Sequence, residues 1–243
     1  EVAIEIAEAV RDALLEGDLA PAVNLPTVPP EDRRKTDAVL ELARGLGRLL
    51  GELTDGPTEE IVVRGTGPRG AQADLAVSAA LEGFLSSRLA GPLNLINAVL
   101  LAEERGIEIS RSRVRREGRG ADWIELTARS GESHTSVAGK LTSREEPRLL
   151  RVDRFRVEVT PRGRLLFVRN DDVPGVIGSL GTILGGAGVN IGEFHQARDR
   201  DDGQALGVIS LDGALSADHL AALRELPGVR DVRQVELGTR REG

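Results

Sequence analysis

Asp172, Gly175, Val176 and Asn190 have the types and spacing to hold a small zwitterion. They lie in Leu165–Asn190, LLFVRNDDVPGVIGSLGTILGGAGVN. This stretch reads as an apolar strand, an acidic turn ending in Pro-Gly, a glycine-dotted helix and the start of a second strand. Pro174 fixes φ and Gly175 permits an unusual backbone angle. The first-turn N–H groups after Gly175 have no helical partner and can receive a carboxylate. Asp172 can pair with an ammonium group, and the Asn190 amide offers a donor and an acceptor. The competing reading is that Asp172 only caps the helix. The turn taken alone favours the cap, and the unit around it reverses that preference. The chemistry is that of sensing an amino acid, not of transforming one.

The elements that must position these residues begin near Gly163. Their order is strand (Leu165–Arg169), helix (Val176–Ala187), strand (Asn190–Arg198), strand (Ala205–Leu211), helix (Ala217–Leu226) and strand (Val232–Leu237). That is β-α-β-β-α-β, the ferredoxin-like split motif. Val176, Leu180, Ile183 and Leu184 form one apolar stripe, and Leu220, Leu223 and Leu226 another. Both helices are expected on one face of a four-stranded sheet. The other face, or the sheet edge, is left for a partner.

Residues 30–162 read as a separate α+β unit, with helices early and an antiparallel sheet late. Glu31–Leu53, Ala71–Leu89 and Leu93–Arg105 have helical periodicity. Thr58–Arg64, Ile107–Val114, Trp123–Arg129, Ser133–Leu141 and Leu149–Val159 read as strands. Residues 1–16 form an amphipathic helix, and three prolines (Pro21, Pro26, Pro29) mark a linker before Pro30. One helix and a linker are not a domain, so residues 1–29 read as the tail of something upstream.

The 243 residues carry a net charge of −7, which argues against general nucleic-acid binding. No apolar run approaches a membrane span, and there is no signal peptide. Cysteine is absent, which excludes disulfides and thiol chemistry and fits the cytoplasm.

Other motifs are weaker. Gly65–Gly70 is a literal GxGxxG, but Pro68 removes a donor from any phosphate cradle and no doubly wound sheet follows. Ser133 and His134, adjacent on a strand, point to opposite faces. Three scattered histidines make a poor metal site. Arg111, Arg113, Arg115, Arg116 and Arg119 form a basic run, and Arg148, Arg151 and Arg154 a second group. Solvated surface is the favoured reading of both; the alternative is an anion site at Arg148 and Arg151.

Leu165–Leu237 resembles an ACT domain, a module that senses small molecules. The matching residues are the LLFVRNDDVPGVIGSLGTILGGAGVNIGEF stretch, ALGVISLDG and LPGVRDVRQVEL. NLINAVLLAEERGI (94–107) and residues 1–26 are similar to stretches of D-3-phosphoglycerate dehydrogenase, whose long form ends in an intervening domain and an ACT domain. The resemblance implies a parent oxidoreductase of L-serine biosynthesis that uses NAD, with its catalytic and NAD-binding residues upstream of Glu1. It implies no cofactor and no catalytic residue in this chain. It implies L-serine, or another small amino acid, bound between two ACT domains of a homodimer or homotetramer. The effector residues fall by position on Asp172 and Asn190, and also on Asn170, where the family often has His or Tyr. The resemblance also places a basic residue at Arg148. Two rival readings stand beside it: a free-standing amino-acid-binding ACT module, and the regulatory chain of an iron–sulfur L-serine dehydratase.

Overall fold

The computed structural model describes residues 33–66, 71–113, 123–199 and 201–238. The helix and linker expected over 1–29, and Arg115, Arg116 and Arg119, lie outside these residues. The first unit contains helices α1 (Arg33–Leu53), α2 (Ala71–Ser86) and α3 (Ala98–Glu103). Its strands are β1 (Glu60–Thr66), β2 (Glu108–Arg113), β3 (Trp123–Ser130), β4 (Ser133–Leu141), β5 (Pro147–Val152) and β6 (Phe155–Val159). They form one sheet in the order β2-β1-β3-β4-β5-β6. β1 and β2 are parallel, and the two-helix crossover between them makes that possible.

The leucines of α1 explain its position. Leu42, Leu46, Leu49 and Leu50 are completely buried, and α1 lies on the sheet with α2 beside it. The two helices approach backbone to backbone through glycines. A Cβ on Gly47 would sit 1.9 Å from the Ala80 carbonyl oxygen, and one on Gly83 would sit 2.0 Å from the Arg44 oxygen.

Two differences from the expected elements have local causes. Leu93–Arg105 is not one helix. The Asn94 side-chain oxygen accepts from the N–H groups of Ile96 and Asn97, and the Asn97 side-chain oxygen accepts from the Asn94 N–H. These bonds hold a turn in place of a first helical turn, so α3 starts at Ala98. Leu149–Val159 is not one strand either. It folds back at Asp153-Arg154, so that Val152 faces Phe155. Asp153 takes a left-handed φ of 49°, and its carboxylate accepts from the Ser136 N–H at 2.7 Å and from Arg169.

The second unit runs β7 (Gly163–Asp171), α4 (Val176–Gly186), β8 (Ile191–Asp199), β9 (Gln204–Leu211), α5 (Ala217–Arg224) and β10 (Val229–Leu237). The sheet order is β10-β7-β9-β8, the ferredoxin-like arrangement. Leu166, Val168, Ile209 and Val232 meet Val176, Leu180 and Leu184 of α4 and Leu223 of α5 in one core.

The other face of this sheet is not left for an outside partner. Leu165, Phe167, Leu206, Val208, Val235 and Leu237 join the core of the first unit. The C-terminal end of α1 lies against β10, and β6 lies against β8 and β9. Arginines fasten this union. Arg233 of β10 donates to the Glu52 carbonyl at 3.0 Å and to Asp55. Arg154 reaches Asp199 at 2.6 Å and Asp202 at 3.0 Å in the β8–β9 hairpin. Amphipathicity cannot tell a face covered within the chain from one covered by a second chain, so the sequence left this open. The second sheet ends in β10 on one side, against which α1 lies, and in β8 on the other, whose outer edge has no strand partner among the described residues.

Candidate functional site

The turn after β7 is held by two glycine carbonyls from distant segments. The Asp171 N–H donates to Gly228 O at 2.7 Å, and the Asp172 N–H donates to Gly203 O at 2.9 Å. Both glycines have positive φ, 82° and 61°, which few other residues accept. Gly228 also lies under the turn: a Cβ there would meet Val173 and Val176 side chains at 3.4 Å. Gly175 forms the N-cap of α4 with φ 97°. No side chain caps this helix, so Asp172 is not a capping group and the first-turn N–H groups remain available to an anion.

Asp172 is mostly covered and already engaged. The Arg198 Nε donates to both its carboxylate oxygens, at 2.8 and 2.7 Å. That hydrogen bond, and the charge behind it, raise the Arg198 pKa above its ordinary value. Arg230 similarly holds Asp171 at 2.6 Å. Asn170 is buried, and its amide donates to the Asp171 carbonyl at 2.6 Å, so it braces the turn from within and does not line its surface.

Asn190 lies elsewhere. It sits exposed just before β8, with its N–H donated to Asp212 at 2.8 Å. β7 and β8 both pair antiparallel to β9. At one end Asn170 and Arg198 flank Ala205; at the other Arg164 and Ile191 flank Leu211. Six strand steps on β9, about 20 Å, separate those ends. Asp172 and Asn190 of one chain therefore cannot touch the same small molecule. Between them run β8 and the exposed face of α4, with Val173, Ile177, Ile191 and Phe194 as exposed apolar side chains.

Comparison with known proteins fits both halves of this architecture. The model of the D-3-phosphoglycerate dehydrogenase intervening domain matches residues 35–153, and that of the ACT domain matches residues 164–228. The chain joins a D-3-phosphoglycerate dehydrogenase intervening domain to an ACT domain. It is 35% identical to a D-3-phosphoglycerate dehydrogenase of Synechocystis sp. over 97% of this chain and 43% of that protein. It is 30% identical to the enzyme of Methanocaldococcus jannaschii over 96% of this chain and 44% of that protein. It is also 30% identical to a chloroplastic enzyme of Arabidopsis thaliana, over 95% and 42%. The chain thus spans less than half the length of these relatives and matches their C-terminal part.

The expected anion pair in the intervening domain does not converge. Arg151 lines an open groove of about 890 Å³ against the ACT domain, where it is ion-paired to the buried Glu125. Arg148 lines a different cavity of about 450 Å³, with Arg144 and Arg162. Arg111 pairs with Asp74. Ser133 and His134 both border the larger groove. His219 belongs to the α5 cap, 2.9 Å from Ser216 Oγ. Among the described residues no group of three or more His, Asp or Glu is placed to hold a metal, and no helix is long and apolar enough to cross a membrane.

Gly65, the first glycine of the GxGxxG, is paired with Ile124 inside the sheet, and a Cβ there would lie 2.9 Å from the Trp123 carbonyl. Its smallness serves strand packing. Sequence reasoning missed Arg198, Gly203 and Gly228. The positive-φ glycines were visible as turn residues, but nothing local links any of the three to Asp172.

Proposed function

We propose that this chain is the C-terminal regulatory region of an NAD-dependent, cytoplasmic D-3-phosphoglycerate dehydrogenase, and that its ACT domain senses L-serine at a site shared by two subunits. The parent enzyme oxidises 3-phosphoglycerate with NAD. This region contributes regulation, and the chain alone has no NAD-dependent turnover.

The separation of Asp172 from Asn190 carries the reading. A two-fold axis beside β8 would run the two edges antiparallel and bring the partner subunit's Asn190 to the Asp172 turn. The same axis would bury the exposed Ile177, Ile191 and Phe194 and pair the open strand edge. L-serine then has Asp172 for its ammonium, the uncapped N-terminus of α4 for its carboxylate and an amide from across the interface. In the intervening domain, an anionic effector has Arg148 with Arg144 and Arg162 to meet in a cavity that Asp37, Glu41, Glu145 and Glu146 also line, while Arg151 faces a different groove and is paired with Glu125.

The test is complementation. Asp172→Ala and Asn190→Ala proteins should each lose L-serine binding by calorimetry. Mixed and re-equilibrated, they should recover binding, because each hybrid dimer contains one intact site. Failure to recover would show that the two residues do not share a ligand. NAD-dependent turnover by this chain would refute the regulatory assignment.

A further inference from the structure

We infer that Arg198 is an internal competitor for the effector: its guanidinium occupies the ammonium position on Asp172, and an amino acid binds by displacing it. The inference rests on the reading that Asp172 receives the effector's ammonium group.

Asp172 is a prepared carboxylate. Its side chain is only 17% exposed, and its backbone N–H is tied to Gly203. A carboxylate so covered calls for a cation or hydrogen-bond donor beside it. Arg198 meets that need with a single donor. One Nε–H is shared between the two carboxylate oxygens, instead of the two parallel bonds of a guanidinium fork. The Arg198 side chain is itself 56% exposed, so solvent screens the pair. The contact thus keeps Asp172 aimed and is weak enough to yield.

A zwitterion has what displacement requires. Its ammonium offers three donors to Asp172, while its carboxylate takes the free N–H groups of α4, which Arg198 cannot use. A simple amine gains only the first contact and an α-hydroxy acid only the second, so neither has the same advantage over Arg198. The competitor therefore raises the concentration threshold for sensing and sharpens selectivity for amino acids.

Displacement also has a route to the rest of the chain. Arg198 is followed on β8 by Asp199, which holds Arg154 of the intervening domain at 2.6 Å. The Gly203 carbonyl that fixes Asp172 lies in the same hairpin. A side chain released from Asp172 thus leaves from the segment that joins the two domains.

The experiment measures L-serine binding by calorimetry to the 243-residue chain, to Arg198→Ala and to Asp172→Asn. Arg198→Ala should bind about twofold to fivefold more tightly, the effect expected when an exposed ion pair no longer competes. Its margin over lactate and ethanolamine should narrow. Asp172→Asn should not bind. If Asp172→Asn loses binding while Arg198→Ala binds equally or more weakly, Arg198 is no competitor, and weaker binding would make it a grip on the effector's carboxylate. If Asp172→Asn binds like the parent chain, the effector site itself is wrong. The exposure of Arg198 makes Arg198→Ala safe for folding, and a melting curve without ligand checks this.

Discussion

Arg233 on β10 meets both carboxylate oxygens of Asp55 at 2.8 Å, across the boundary between the ACT and intervening domains. It also donates to the Glu52 carbonyl at the end of α1. Burial works to lower the Arg233 pKa, but the hydrogen bonds it donates to Asp55 and Asp231, with their charges, outweigh it and raise the value. Asp55 is 84% exposed, so its ion pair contributes little, and the bond to Glu52 carries more. Arg233→Ala should cost about 2 kcal/mol, and Asp55→Ala less than about 1 kcal/mol. A raised folded-state pKa leaves this stabilisation fully present below arginine's ordinary pKa and loses it only above. Urea melts of Arg233→Ala should thus show the same loss from about pH 6 to about pH 9. Equal costs for the two variants would shift the weight to the ion pair.

Arg88 closes the C-terminal end of α1 from the other side. It donates to the carbonyls of Gly51, Thr54 and Gly56, and its guanidinium lies 4.7 Å from the Phe84 ring centroid. Burial lowers its pKa, with Asp55 and Glu52 pulling it back up. A lysine offers one ammonium where a planar fork serves three carbonyls. Arg88→Lys should therefore destabilise the chain by about 1–3 kcal/mol, measured by denaturant unfolding. A neutral effect would mean that water satisfies these carbonyls unaided.

Glycine substitutions should divide by location. Gly47→Ala forces a methyl group into the Ala80 carbonyl and should cost about 3 kcal/mol. A Cβ at Gly181 on the outer face of α4 meets nothing within 4 Å in one chain. Gly181→Ala should stabilise an isolated chain by about 0.5–1 kcal/mol through helix propensity. If α4 faces a second subunit as proposed, the same variant should weaken dimerisation in sedimentation runs. Unaltered dimerisation would move the interface away from this face.

The strand and helix pattern of the ACT unit was legible because it is local. Alternation, the leucine stripes and the Pro-Gly turn each act over a few residues. The misses arose where a local pattern ran through a non-local event. In Leu149–Val159 the apolar residues shift parity across Asp153-Arg154, and Asp153 reverses the chain there because Ser136 and Arg169, on other strands, hold its carboxylate. Asn94 and Asn97 carried a readable signal of side-chain competition, but the apolar period beyond them dominates the pattern.

By itself the sequence determined the two-unit plan, the split β-α-β-β-α-β order and a turn that puts Asp172 beside a helix N-terminus. These follow from residue-level preferences that need no distant partner. The split motif places β9 between β7 and β8, and only the tertiary structure showed what that does to the site. That order puts Asn190 at the far end of the sheet from Asp172 and brings Arg198 to it in its place. The tertiary structure also decided that the free face of the sheet is covered by the intervening domain, leaving the β8 edge open. Which apolar faces are buried together is set across the whole chain, and no window of sequence contains that competition.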